Sequence, residues 1–189
     1  MNSEILLEPM LFPERKLRLF SLYLDFGAAL RARWAAGQIS RLAGERWKTS
    51  SGMWNLDSLV ASEPIRKIIT RDAVDADVLV VAMSSLDQRV PELVQWLDSL
   101  AEEKANRPFS GLFVGLLGDD EQRAGELDWT VKHFLRCAQQ LDRDFIWHWM
   151  EQETMEDGDW LADSVEILLA RKQPAHEVGF FPATVLGAV

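Results

Sequence analysis

Asp77-Val78-Leu79-Val80-Val81-Ala82-Met83 and Gly111-Leu112-Phe113-Val114-Gly115-Leu116-Leu117 decide how this chain folds. Each is a short apolar run with no alternating polar face, and the second stops at Gly118-Asp119-Asp120. A run that is apolar on both sides suits a parallel strand covered by helices above and below. The segments around these two runs alternate in the same sense. Arg18 to Leu24 is an apolar run that stops at Asp25. Asp25 is placed to cap a helix striped by Leu30, Trp34, Ala35, Ile39 and Leu42, with Gly44 as its stop. Met53 to Leu56 is a short second strand, and Ser62 and Pro64 open a helix carrying Ile65, Ile68, Ile69 and Ala73.

Beyond the central strand, Pro91 suits a first helical turn, followed by a stripe of Leu93, Val94, Leu97, Leu100 and Ala101. A fourth helix carries Leu127, Val131, Phe134, Leu135, Ala138 and Leu141. Phe145 to Met150 reads as a fifth strand, and Leu161, Val165, Leu168 and Leu169 stripe a last helix that closes before Pro174. Five strand–helix units in series imply an α/β three-layer sandwich with right-handed crossovers, for which the expected strand order is 2-1-3-4-5. The expected organisation is an N-terminal extension over 1–16, the α/β domain over 17–173 and an apolar C-terminal arm over 174–189.

Charge narrows the partners. The 189 residues carry 20 basic and 30 acidic side chains, a net charge of −10. Residues 1–76 hold 11 basic and 9 acidic groups, whereas 77–189 hold 9 and 21, so the excess is C-terminal. Such a surface repels phosphate backbones, and the one basic group, Arg31, Arg33 and Arg41, reads as a solvated helix face; no nucleic-acid partner is expected. The single cysteine excludes an internal disulfide and a multi-cysteine metal site. No apolar run reaches the length of a membrane span and Met1 to Glu4 lack a basic leader, so a cytoplasmic protein is expected.

The element order resembles the flavodoxin-like superfold, shared by flavodoxins and the receiver domains of response regulators. Tyr23-Leu24-Asp25-Phe26 followed by Leu30-Arg31-Ala32-Arg33, then Ala76 to Ala82, Val90 to Leu97 and Gly111 to Leu117, further resemble a bacterial family of this build that has no assigned activity. The resemblance implies a fold, and its two known chemistries can be tested on the residues. Flavodoxins hold the FMN phosphate in a hydroxyl- and glycine-rich turn after strand 1; here that turn is Asp25-Phe26-Gly27-Ala28-Ala29, with one glycine and a carboxylate. The later loops, Ser84 to Gln88 and Gly118 to Leu127, offer no aromatic residue to stack on a flavin. FMN is therefore not expected, and no other cofactor is. Receivers pair two acidic residues after strand 1 with an Asp after strand 3 and a Lys after strand 5. This chain has Asp25 alone at the first position, Met83-Ser84-Ser85 at the second, and no lysine between Lys132 and Lys172.

Other motifs are absent: there is no Gly-x-Gly-x-x-Gly or P-loop, and His133, His148 and His176 share no ligand spacing. Cys137 lies beside a helical stripe and reads as an inert, partly buried thiol. What remains are two candidate sites. Asp25, Ser84, Ser85, Asp119 and Asp120 should gather at the carboxyl ends of the strands, as an acidic crevice able to attract Mg²⁺ or a cationic ligand, or simply as helix caps. Trp96 and Trp129 stand beside their helical stripes, and Phe180 and Phe181 lie in the apolar arm. They suit a subunit interface, while the tryptophans equally suit packing at the rim of the core. The expected function is a non-catalytic regulatory or protein-interaction module, its partner another protein or a second copy in a dimer. The alternative is an enzyme or ligand-binding protein using the acidic crevice.

Overall fold

A computed structural model of the chain describes residues 15–83, 90–104, 111–118, 124–150 and 158–173. They form five strands and six helices in the order β1 (Arg15–Tyr23), α1 (Phe26–Ala43), β2 (Trp47–Asn55), α2 (Leu56–Ala61), α3 (Glu63–Val74), β3 (Val78–Met83), α4 (Val90–Lys104), β4 (Gly111–Leu117), α5 (Ala124–Gln140), β5 (Arg143–Trp149) and α6 (Asp159–Arg171). All pairings are parallel and the sheet order is β2-β1-β3-β4-β5, the doubly wound arrangement expected from the sequence.

Every residue of β3 and β4 is buried, as unbroken apolar runs require when helices cover both sides of a sheet. On one face, Leu79, Val81, Phe113 and Leu117 pack with residues of α2 to α5. On the other, Val78, Val80, Leu112, Val114 and Leu116 pack with α1 and α6. The two outer strands differ in kind. β2 is polar through Lys48, Thr49, Ser50 and Ser51 and largely exposed. It runs in register with β1 from Arg15↔Trp47 to Tyr23↔Asn55, which makes it six residues longer at its start than the apolar Met53–Leu56 segment suggested. A polar edge strand carries little hydrophobic pattern, and polar edges also discourage pairing with other chains.

Helix α1 departs from its expected stripe in a way that matters for the site. The face it buries is Ala28, Ala32, Ala35, Ala36, Ile39 and Ala43, together with Arg31, while Leu30 and Leu42 are exposed. Small side chains let the helix axis come close to the sheet, so the larger leucines turn to the side. Ile65 and Ile68 on α3 and Leu135 on α5 are likewise exposed, because those helices cover the sheet with a narrower face than their apolar residues span. Trp147 is 44% exposed on the outer strand β5.

Asp77 ties the amino end of the sheet together. Its carboxylate accepts from the Arg18 amide at 2.8 Å and from Lys172 Nζ at the end of α6. Its backbone joins in, the amide donating to Arg18 and the carbonyl accepting from Leu112. Through its carboxylate and its backbone, this one buried aspartate, just before β3, therefore links β1, β4 and the end of α6. Nearby, buried Arg143 donates to the carbonyls of Ala73 and Ala76, closing the C-terminal end of α3, and burial lowers its pKa to about 10. Breaking a buried ion pair by removing one partner is far costlier than losing a surface pair. Asp77→Ala is expected to lower stability by about 3 kcal/mol in urea unfolding, the low end for such a pair because Lys172 keeps 23% of its side chain in solvent. A loss below about 0.5 kcal/mol, the level of an ordinary surface change, would contradict this role.

Candidate functional site

In an open parallel sheet the ligand crevice lies beyond the carboxyl ends of the strands, near the reversal between β1 and β3. The backbone builds that edge evenly. The Leu24 amide donates to Ala82, the Gly118 amide to Met83 and the Met150 amide to Leu117, extending each parallel ladder past its strand. Of the five candidate crevice residues, Asp25 belongs to the described edge, and Ser84, Ser85, Asp119 and Asp120 lie outside the described residues.

Asp25 does what its position before α1 predicts. It holds an extended conformation as N-cap, its carboxylate accepts from the Ala28 amide at 2.8 Å, and its carbonyl accepts from Ala29. An N-terminal helix amide is the donor a bound phosphate would seek, and here the chain's own carboxylate has it. Phe26, the first residue of the helix, is 79% exposed.

The second occupant of this edge is Arg31. Its side chain is fully buried, which corrects the reading of Arg31, Arg33 and Arg41 as one solvated face; Arg33 and Arg41 are exposed. From the buried face of α1 the Arg31 guanidinium reaches the end of β4, so close to Gly118 that a Cβ built there would stand 2.6 Å from Cζ. A side chain at Gly118 would oblige the Arg31 guanidinium to shift. The sequence signal for Arg31 is its place within the Ala28–Ala32–Ala35 face, whose small side chains carry only a weak hydrophobic stripe.

The interface candidates separate. Trp96 is a core residue, 5% exposed, stacked on Phe20 with ring centroids 6.0 Å apart, its indole N–H donating to Thr70 Oγ1 at 3.1 Å. It is withdrawn from the interface, since a buried tryptophan with its N–H satisfied has nothing to offer a partner. Trp129 is 54% exposed and stacks on His133. Phe180 and Phe181 lie outside the described residues. His148 is part of an aromatic stack, its ring centroid 4.5 Å from that of Trp160 and nearly parallel to it, and Trp160 in turn stacks on Trp34. Cys137 is fully buried, and burial followed by the charge of Asp98 pushes its thiol up to about 12, which removes it as a nucleophile at neutral pH.

No family model and no curated protein matches the sequence. Among solved structures, the chain is similar to a short-chain flavodoxin associated with a non-canonical PDU bacterial microcompartment, with a TM-score of 0.52 and 16% identity over 83% of this chain and 99% of that one. It is also similar to an oxidoreductase from Corynebacterium diphtheriae, with a TM-score of 0.53 and 14% identity over 84% of this chain and 92% of that one. At these identities the likeness concerns the fold.

The contact between Arg31 and Gly118 makes a testable coupling. Gly118→Ala is expected to cost about 1 kcal/mol, the low end for overpacking, because the atoms it meets are the far end of the flexible Arg31 side chain. In an Arg31→Ala background the same change should cost less than about 0.5 kcal/mol. Equal costs in both backgrounds, measured by urea unfolding, would show that the two residues do not meet. The sheet order and the two structural likenesses together establish a flavodoxin-like fold.

Proposed function

We propose that this protein uses the flavodoxin-like fold as a protein-binding module, without holding FMN in the flavodoxin manner, and that its first partner is a second copy of itself. The observation that carries the reading is the Asp25 carboxylate on the Ala28 amide, at the turn where a flavin phosphate would need a free donor. Binding a phosphate there would bring a dianion against a carboxylate and break the cap of α1, a cost of about 1 kcal/mol before any repulsion is counted. Arg31 supports the same reading: it is committed to the packing between α1 and β4 and is not an exposed cation waiting at the crevice.

A surface with exposed aromatic residues favours protein partners over small ligands. Phe26 and Leu30 stand one turn apart on α1, 79% and 39% exposed, and Trp129 stands out from α5. Aromatic side chains are enriched at such contacts and lose little conformational entropy when they dock. No described helix is long and apolar enough to cross a membrane.

Light scattering on the full chain is expected to give twice the chain mass, and Phe26→Ala or Trp129→Ala should shift that mass towards the monomer. FMN added to the same sample should keep its free fluorescence. A monomeric chain that quenches FMN stoichiometrically would overturn the proposal.

A further inference from the structure

Away from the strand edge, α4 and α5 bring together three side chains of metal-ligating type. His133 and Cys137 stand i and i+4 on α5, so they share one face one turn apart. Asp98 reaches them from α4. One ligating atom from each residue lies within 4.8 Å of the other two. Asp98 Oδ1 is 3.5 Å from His133 Nε2 and 3.7 Å from Cys137 Sγ. A tetrahedral zinc site with legs of about 2.0–2.3 Å has edges of about 3.3–3.8 Å, so both measured separations are tetrahedral edges.

The second observation concerns the imidazole. His133 is 6% exposed, and its buried Nε2 faces the Asp98 carboxylate at 3.5 Å without a well-formed hydrogen bond. Buried ring nitrogens are normally satisfied. The opposite nitrogen, Nδ1, lies 2.8 Å from Arg136 Nη2. Solvent reaches the cluster past Asp98, whose side chain is 48% exposed, while Cys137 closes the inner side.

We propose that Asp98, His133 and Cys137 form a binding site for a zinc-class divalent cation, with water as fourth ligand on the Asp98 side. One thiolate, one imidazole and one carboxylate match the borderline-soft preference of Zn²⁺ and are a poor set for Mg²⁺ or Ca²⁺, which take oxygen ligands. On binding, the cation takes the place of the Cys137 proton, which leaves to solvent, and the sulfur is held as thiolate. The imidazole stays neutral: its proton sits on Nδ1 when Nε2 binds the metal, and exposed Arg136 swings out to make room. The site lies on the opposite layer of the sandwich from α1, beside Trp129, which stacks on His133.

Cobalt(II) is the probe, because Cys137 is the sole cysteine and any thiolate-to-cobalt charge-transfer band must come from it. Titration of the full chain with Co²⁺ is expected to raise that near-ultraviolet band, with tetrahedral visible bands, to saturation at one equivalent, and Zn²⁺ should abolish both. Cys137→Ser removes the charge-transfer band, with circular dichroism verifying that the variant is folded. Asp98→Asn, at a half-exposed position, keeps the fold and should weaken binding at least about tenfold, since even outer-shell losses at metal sites cost about 10–100-fold. Absence of a thiolate band in the folded chain would overturn the proposal. So would a band whose affinity is the same in Asp98→Asn and His133→Gln.

Discussion

Burial of β3 and β4 on both faces is the constraint from which the rest of the molecule follows. Two strands without a solvent side need a helix layer above and below, and parallel strands need crossovers long enough to supply those helices. The chain meets both demands at once. Helices α1 and α6 cover one face and α2 to α5 the other, leaving β2 and β5 to form the two edges. Asp77 locks the amino end of this sheet, so the described polar chemistry there is structural.

At the carboxyl end the same economy of space shapes the site. Helix α1 lies close to the sheet because its buried face is mostly alanine, and that closeness sets where Arg31 reaches. The guanidinium ends against Gly118, and Asp25 caps the helix that carries it. A fold that elsewhere offers free amides to a phosphate here directs its own carboxylate onto one of them. The fold is shared with proteins named as a flavodoxin and an oxidoreductase, and a fold hosts many functions, so function is argued from the site and not from the architecture.

Much of the fold was legible because it rests on strong local signals. The apolar runs of β3 and β4, Asp25 and Ser62 as caps, and Gly44 at φ 68° after α1 all act through short-range physics visible in sequence. What escaped depends on tertiary context. The polar half of β2 becomes a strand through its pairing with β1, and its own pattern gives little sign of this. Trp96 went from rim to core because Phe20 and Thr70, distant in sequence, receive it. Arg31 was hidden by its charge, which argues for solvent until a close-packed alanine face draws it inward. The His133–Cys137 spacing was present in the sequence, but it gained meaning only when α4 supplied Asp98 across the helix pair.

The central claim is that the strand-1 turn is occupied by the chain's own carboxylate. The amide of Ala28 reports on it directly in ¹H–¹⁵N correlation spectra. With Asp25 bound to it, that amide should exchange slowly and keep its chemical shift when FMN is added in excess. An Ala28 resonance that exchanges as an open amide, or that moves on addition of FMN, would contradict the account.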